Sequence, residues 1–214
     1  MKPIIFSAQS ARATLEDRQH QTRRVIRPQP FKPDSAHDWR WEPGGMLCYE
    51  DYFRERAPSY CPFGQVGSRL WVKERALYWT GGAGGTSNIA YAEDPEIPHL
   101  LEDNNTLLMA RESTNILAGE PVLGKWKWKS SRFMPRWASR ITLEITGVRV
   151  QKIQEISRAD TEAEGVGCNW QPDTNQFATF QRLWDSLNKA RGYSFDSDPW
   201  CWCLEFKRVE VTRE

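Results

Sequence analysis

Two alternating stretches in the second half of the chain constrain its fold most. Apolar and polar side chains alternate through residues 141–153 and again through residues 199–211. In the second stretch the large apolar residues are Trp200, Trp202, Leu204 and Phe206. Alternation with a period of two is typical of a strand whose two faces have different surroundings. We therefore predict a fold built on an antiparallel sheet, with residues 141–153 as one long strand, or a strand and its bend, and residues 199–211 as the last strand.

Shorter elements are predicted before these strands. Residues 2–6 have the composition of a short strand, and Ser7 or Ser10 is suited to cap a helix that ends near Asp17. Residues 61–68 form a glycine-punctuated turn that leads into a strand ending near Glu74. Prolines and aromatic residues dominate residues 31–60, for which we expect irregular loops.

Two helices are predicted in the C-terminal third. Ser157 followed three residues later by Asp160 is a variant of the capping box, and the helix should end near Gly165. This places Glu164 in the last helical turn, where a carboxylate is unfavourable by a few tenths of a kcal/mol. Such a cost is a hint of function. Helical spacing then places four apolar side chains on one core stripe: Phe180, Leu183, Trp184 and Leu187.

Length and charge limit the class of protein. The chain has 214 residues, and we expect a single domain over 1–214 with an irregular excursion at 31–60 and an insertion at about 75–130. Its 29 basic and 28 acidic residues give a net charge of +1. This balance argues against a protein that coats nucleic acid through bulk charge, so any nucleic-acid contact must be local.

Cysteine and histidine patterns predict neither disulfides nor a metal. Five cysteines without paired C-x-x-C spacing indicate free thiols in a reducing compartment. The three histidines have no ligand spacing, so we predict no metal site and no cofactor. The apolar run at residues 3–6 is too short for a signal peptide and no later stretch approaches a membrane span, so we expect a cytoplasmic protein without membrane contact.

Positive charge is concentrated in residues 15–30. Four arginines lie within ten residues of Thr22: Arg18, Arg23, Arg24 and Arg27. Arginine presents a planar fork of donors that suits phosphate oxygens and also stacks on flat rings. The cluster therefore favours a nucleotide or nucleic-acid partner. The alternative is a solvated helix end, where arginine stabilises the helix dipole.

Cations and aromatic rings are interleaved through residues 126–140, which include Arg136 and Trp137. This pattern suits a nucleic-acid surface, because cations contact phosphates while rings stack on bases. A half-buried edge strand has the same alternation. The pattern is compatible with both interpretations. The glycine-rich run at 81–85 lacks the Lys and Ser or Thr of a P-loop and favours a hinge.

Taken in their order along the chain, these motifs resemble those of the ASCH family, in particular its longer members from bacteriophages and prophages. The residues from Asp17 to Arg24 are similar to the family pattern Gly-Arg-Lys-Thr-x-Thr-x-Arg. Further similarity lies in four blocks, at 61–74, 134–140, 156–166 and the final strand. The resemblance implies an α+β fold with a PUA-like, mostly antiparallel small β-barrel, flanking helices and a basic segment at the mouth of a pocket.

The resemblance also implies candidate catalytic residues. Some small ASCH proteins remove the acetyl group of N4-acetylcytidine with a Lys, a Thr and a Glu. The Thr matches Thr22 and the Glu matches Glu164, but the Lys position holds Gln19. A neutral amide offers hydrogen bonds but cannot replace the positive charge of lysine. Lys73 is a candidate to supply it, and Arg24 matches the last motif position and is suited to orient an anion.

Three functions follow as hypotheses. In the first, the four arginines and Arg136 contact phosphates of RNA, another single-stranded nucleic acid or a modified nucleoside, while Trp71 or Trp137 stacks on a base. In the second, Thr22 and Glu164 carry out hydrolysis of an N4-acylated cytidine-like nucleoside. The third is a protein-interaction or assembly role in a phage. A metal-dependent nuclease is disfavoured because no compact acidic cluster is visible. Oligomeric state is not predicted.

Overall fold

The computed structural model describes residues 1–32, 39–41, 46–79, 89–91, 126–166 and 175–209. Within them lie ten strands: β1 Lys2–Ile5, β2 Gln21–Val25, β3 Trp39–Trp41, β4 Met46–Cys48, β5 Arg69–Lys73, β6 Ala76–Trp79, β7 Ile89–Tyr91, β8 Trp126–Lys129, β9 Thr142–Lys152 and β10 Trp200–Val209. The helices are α1 Ala8–Leu15, α2 Glu50–Arg56, α3 Arg158–Ala163 and α4 Gln176–Asn188. No helix in these ranges is both long and apolar enough to span a membrane.

The main sheet has five strands in the order β1-β5-β9-β10-β2. The pairs β5–β9, β9–β10 and β10–β2 are antiparallel. The predicted α+β class and the two long strands are confirmed. Among the described strands, however, β1 and β2 remain at the two ends of the order, so the closed barrel implied by the family resemblance is not present there. Two smaller sheets pair β3 with β4, and β6 with β7 and β8.

The chain divides into two compact units. Unit 1 comprises Met1–Pro3, Ala13–Trp71 and Ile141–Glu214, and unit 2 comprises Ile4–Arg12 and Val72–Arg140. The insertion expected at about 75–130 falls within unit 2. The expected single domain over 1–214 stays a prediction. The glycine-rich run at 81–85 lies outside the described residues.

Strand β10 is the centre of unit 1 because both of its faces are covered. On one face, the ring of Trp202 lies 5.9 Å from that of Trp41 in an edge-to-face contact. On the other, Cys201 is fully buried in a cluster that includes Phe180 and Trp184 of α4. The alternation therefore predicted the strand correctly. Residues on its more polar face, such as Cys203, are buried as well.

Helix α4 confirms most of the predicted core stripe. Phe180 and Trp184 are buried, and Leu183 packs against the same cluster. Leu187, which the spacing assigned to the core, is half exposed. Its helical turn extends beyond the apolar cluster that the earlier turns cover, so that part of the prediction was wrong.

Helix α2 lies where we expected only loops. Its Phe53 is buried, with ring contacts of 5.3 Å to Trp41 and 5.1 Å to Trp200. Burial of one large ring among others stabilises a helix too short to be stable in isolation. The remaining described part of 31–60 includes the short strands β3 and β4.

Candidate functional site

The arginine-rich segment forms strand β2. Arg23 lies opposite Cys203 of β10, and Cys203 in turn lies opposite Arg149 of β9. Side chains directly opposite one another in a sheet point to the same face. The register therefore aligns Arg23 with Arg149 across the buried central strand. Arg23 therefore lies in a paired strand and not at the solvated helix end that was the alternative interpretation of the arginine cluster.

Helix α3 closes over this face at the edge of β2. Its N-terminus has the predicted capping box, in which Ser157 Oγ accepts from the Asp160 amide and the Asp160 carboxylate accepts from the Ser157 amide. Its C-terminal end pairs with the residues before β2: Gln19 and Glu164 form an isolated antiparallel bridge. Gly165, two residues beyond the end of the helix, has a φ of +72°. A Cβ there would lie 2.9 Å from Gln19 Cβ, so glycine permits this close approach.

Arg23 connects α3 to the sheet. Its Nη1 lies 3.1 Å from Glu164 Oε1, and its Nη2 lies 3.1 Å from Asp160 Oδ2. Nη2 also donates to Gln151 Oε1 at 3.2 Å. One guanidinium therefore bonds to two carboxylates of α3 and one amide of β9.

Arg149 forms the second half of the cluster. Its Nη2 donates to Gln21 Oε1 at 2.8 Å and contacts Asp160 Oδ1 at 2.5 Å, while its Nη1 pairs with Glu205. Asp160 is therefore shared by both arginines. We call this group the β2–α3 cluster: Gln19, Gln21, Arg23, Arg149, Gln151, Asp160, Glu164 and Glu205.

The β2–α3 cluster runs from the interior to the surface. Side-chain exposure rises from 1% for Arg23 and 8% for Glu164 to 15% for Asp160, then to 34% for Arg149 and 45% for Glu205. The buried end is therefore connected to solvent by a continuous row of polar side chains.

The pKa values of the two carboxyls that α3 brings to the cluster, Glu164 and Asp160, shift in opposite directions. Burial raises the pKa of Glu164, and the charges of Arg23 and Arg24 only partly offset this rise. For Asp160, burial also favours the neutral form, but hydrogen bonds from Ser157 and the two arginine charges outweigh it and lower its pKa. Burial lowers the pKa of Arg24 to about 10, against the opposing charge of Glu164. Glu164 is thus the carboxyl that protonates more readily.

Three buried polar atoms of the β2–α3 cluster have no hydrogen-bond partner among the described residues. They are the acceptor Gln19 Oε1 and the donors Gln21 Nε2 and Arg23 Nε. The orientation of the Gln19 amide is fixed, because its Nε2 donates to the Gln21 carbonyl at 3.0 Å. Buried polar groups are normally paired, and an unpaired one costs about 1–3 kcal/mol. The three atoms are therefore available to hydrogen-bond a polar group.

The predicted site residues of unit 1 occupy separate environments. Gln19, Arg23 and Glu164 come together in the β2–α3 cluster. Thr22 is buried, but strand alternation directs it to the face opposite Arg23, where it lies across from Leu204.

The other predicted residues lie elsewhere. Arg18 is exposed and pairs with Glu16, and the Arg27 guanidinium lies 5.0 Å from the ring centre of Tyr193. Trp71 is half-buried in β5 opposite Thr142. In unit 2, Lys73 Nζ donates to the Arg132 carbonyl, while Arg136 and Trp137 are exposed in a short 3-10 turn.

Sequence reasoning missed the cluster residues on the long strands. Arg149 and Gln151 lie two positions apart in β9, within a stretch we interpreted only as alternation. Asp160 was identified for its capping role alone. The available signal was the i, i+2 pair of polar residues on a strand expected to be central. No group of three or more His, Cys, Asp or Glu within the described ranges is arranged to hold a metal ion.

Comparison with known proteins gives little further information. No family model matches this sequence, and no curated protein matches it. Its fold is similar to the crystal structure of protein EF3133 from Enterococcus faecalis V583, which belongs to the DUF984 family. The likeness covers 98% of this chain and 76% of that one at 8% identity, with a TM-score of 0.41. A similarity of that size is a weak fold match and indicates no function.

Proposed function

We propose that the chain binds a nucleobase carrying an exocyclic amine, as part of RNA or of a modified nucleotide, at the buried end of the β2–α3 cluster. The observation that carries this proposal is the set of unpartnered buried atoms in the cluster that contains Glu164: Gln19 Oε1, Gln21 Nε2 and Arg23 Nε. We also propose that the chain belongs to the ASCH group, which includes phage and prophage proteins.

The donors and acceptors suit a cytosine-like edge. Such an edge offers an amine donor beside ring and carbonyl acceptors, and carboxylates are the usual partners of the cytosine amine. Glu164 and Gln19 Oε1 supply acceptors, and Arg23 Nε and Gln21 Nε2 supply donors. Uracil presents a carbonyl where cytosine has the amine, so it would oppose acceptor to acceptor. A preference for cytosine over uracil follows.

The charge of the cluster supports a base and not a phosphate as the bound group. Its two arginines, Arg23 and Arg149, face three carboxylates: Asp160, Glu164 and Glu205. A phosphate needs an excess of donors and positive charge, whereas a neutral base needs both donors and acceptors. The sequence-based hypothesis assigned phosphate contacts to four arginines. We no longer assign such a contact to Arg23, because its guanidinium is already bonded to carboxylates.

Calorimetric titration with cytidine and uridine monophosphates tests the proposal. The wild type should bind the cytidine compound more tightly. Glu164→Gln should abolish this preference, because the amide replaces a carboxylate acceptor with a mixed donor and acceptor. Glu162→Gln, on the exposed side of the same helix, is the matched control and should bind like the wild type. Equal binding of the two nucleotides by the wild type would refute the proposal.

Hydrolysis of an N4-acylated cytidine is a second candidate, favoured by one observation. The raised pKa of Glu164 brings this carboxyl closer to the range in which a general acid or base operates. Thr22 lies on the other face of β2, so in this scheme Glu164 would activate water without a threonine nucleophile. Release of acetate from N4-acetylcytidine by wild type but not by Glu164→Gln would support it. Equal release by both proteins would exclude Glu164 as the catalytic group.

A further inference from the structure

The segment from Ser131 to Ser139 in unit 2 contains a repeated triplet. Arg132-Phe133-Met134 and Arg136-Trp137-Ala138 each place an arginine, an aromatic ring and a smaller or more flexible apolar residue in the same order, four positions apart. Each triplet is associated with a 3-10 turn, Ser131–Phe133 and Arg136–Ala138. The third residue of each triplet is 2% exposed, whereas Phe133 is 73% exposed and Trp137 is 59% exposed. Each repeat therefore buries its third residue and presents its ring to solvent.

The backbone that carries the rings is firmly held within unit 2. Met134 Sδ accepts from the Glu74 amide at 3.2 Å, and the Tyr91 hydroxyl donates to the Ala138 carbonyl at 2.7 Å. The Ser139 hydroxyl donates to the Val72 carbonyl at 2.8 Å. Two exposed rings on an anchored backbone are preorganised, so binding a ligand would cost little ordering entropy.

Basic residues outnumber acidic ones among the described residues of unit 2. These ranges contain eight Lys or Arg residues and a single acidic residue, Glu74. Glu74 is 1% exposed and is bound by Arg140 through bonds of 3.0 and 2.9 Å. Its charge is therefore neutralised in the interior. Arg132 forms no ion pair with any described residue.

We infer that Arg132, Phe133, Arg136 and Trp137, which we call the arginine–aromatic surface, form a docking site for single-stranded nucleic acid. Exposed rings provide faces on which unpaired bases stack, and neighbouring guanidiniums attract the phosphates between them. A duplex hides its base faces and would use only the charges. The inference rests on unit 2 alone and is independent of the base-binding proposal for unit 1.

Fluorescence anisotropy with a labelled 12-nucleotide oligouridine tests this surface, since the unit 1 proposal disfavours uracil. Phe133→Ala and Trp137→Ala should each weaken binding roughly tenfold. Tyr49→Ala, which removes a 70% exposed ring from unit 1, is the matched control and should leave the affinity unchanged. Because both target rings are exposed, thermal unfolding of the variants should match the wild type.

The charge contribution is measured separately. Arg132→Gln combined with Arg136→Gln should reduce the slope of log affinity against log salt by about 1.4, the value for two contacts to a single strand. Binding of cytidine monophosphate should be unaffected by all four substitutions, which separates this surface from the β2–α3 cluster. Lack of oligouridine binding by the wild type, or unchanged binding by both ring variants, would overturn the inference.

Discussion

Replacing Arg23 by methionine should destabilise the protein more than any other single change to the β2–α3 cluster. Methionine approximates the apolar stem of arginine but removes the guanidinium charge that faces Glu164 and Asp160, each 3.1 Å away. The Arg23 side chain is 1% exposed, so little solvent is present to compensate the two carboxylates for its loss. Breaking a buried pair by removing one partner costs about 3–5 kcal/mol. For a chain of this length each kcal/mol lowers the melting temperature by about 2–4 °C, so a loss of roughly 6–20 °C is expected.

Urea unfolding followed by circular dichroism measures this cost. Arg158→Met is the control, because Arg158 forms an exposed i, i+4 pair with Glu162 on the same helix at 3.5 Å. Its loss should change stability by about 0.5 kcal/mol or less. Adding Glu164→Gln to Arg23→Met should recover part of the lost stability, since one uncompensated charge is removed. A cost for Arg23→Met no larger than that of the control would refute the proposed burial of the charge network.

Three further predictions concern the same unit. Gly165→Ala should lower the free energy of unfolding, measured by chemical denaturation, by more than Gly192→Ala. Both glycines have a positive φ, but a Cβ at Gly165 would meet close neighbours, whereas no atom lies within 4 Å of a Cβ at Gly192. Equal losses would contradict the close packing of Gln19 against Gly165. Because the pKa of Glu164 is raised in the folded state, its carboxyl stabilises the fold at pH values below the pKa of the unfolded state and loses that contribution as the pH rises through the folded pKa. The stability of Glu164→Gln relative to wild type should therefore increase from pH 4 to pH 8. A stability difference that does not change with pH would count against a buried Glu164. Trp184→Ala should lower the stability measured by thermal unfolding by about 3–5 kcal/mol, and Leu187→Ala by far less, because of the two only Trp184 is buried. Similar losses for the two variants would indicate that Leu187 is part of the core.

Periodicity and capping chemistry were sufficient to predict the frame of the site. The alternation of residues 141–153 and 199–211 predicted β9 and β10, and Ser157 with Asp160 predicted the start of α3. These signals are local, because each depends only on residues a few positions apart. They also placed Glu164 correctly at the end of a short helix.

The partners within the site could not be predicted in the same way. Arg23 and Glu164 are 141 positions apart, and their contact depends on how β2 and α3 meet the same sheet. An arginine has the same sequence signature whether it is exposed, as Arg18 is, or buried between carboxylates, as Arg23 is. Burial on both faces of β10 likewise depends on elements far away in sequence, including α2, which is too short to give a clear periodic pattern.

Side-chain amide NMR during titration with cytidine monophosphate tests the central claim most directly. The Gln19 amide lies beside Glu164 with its oxygen unpartnered, so its ¹⁵N and ¹H resonances should shift and saturate with the dissociation constant found by calorimetry. The exposed Gln154 amide, which donates to the Phe195 carbonyl at 3.1 Å, is an internal reference that should not move. Binding of the nucleotide with an unchanged Gln19 resonance would place the ligand elsewhere and contradict the account.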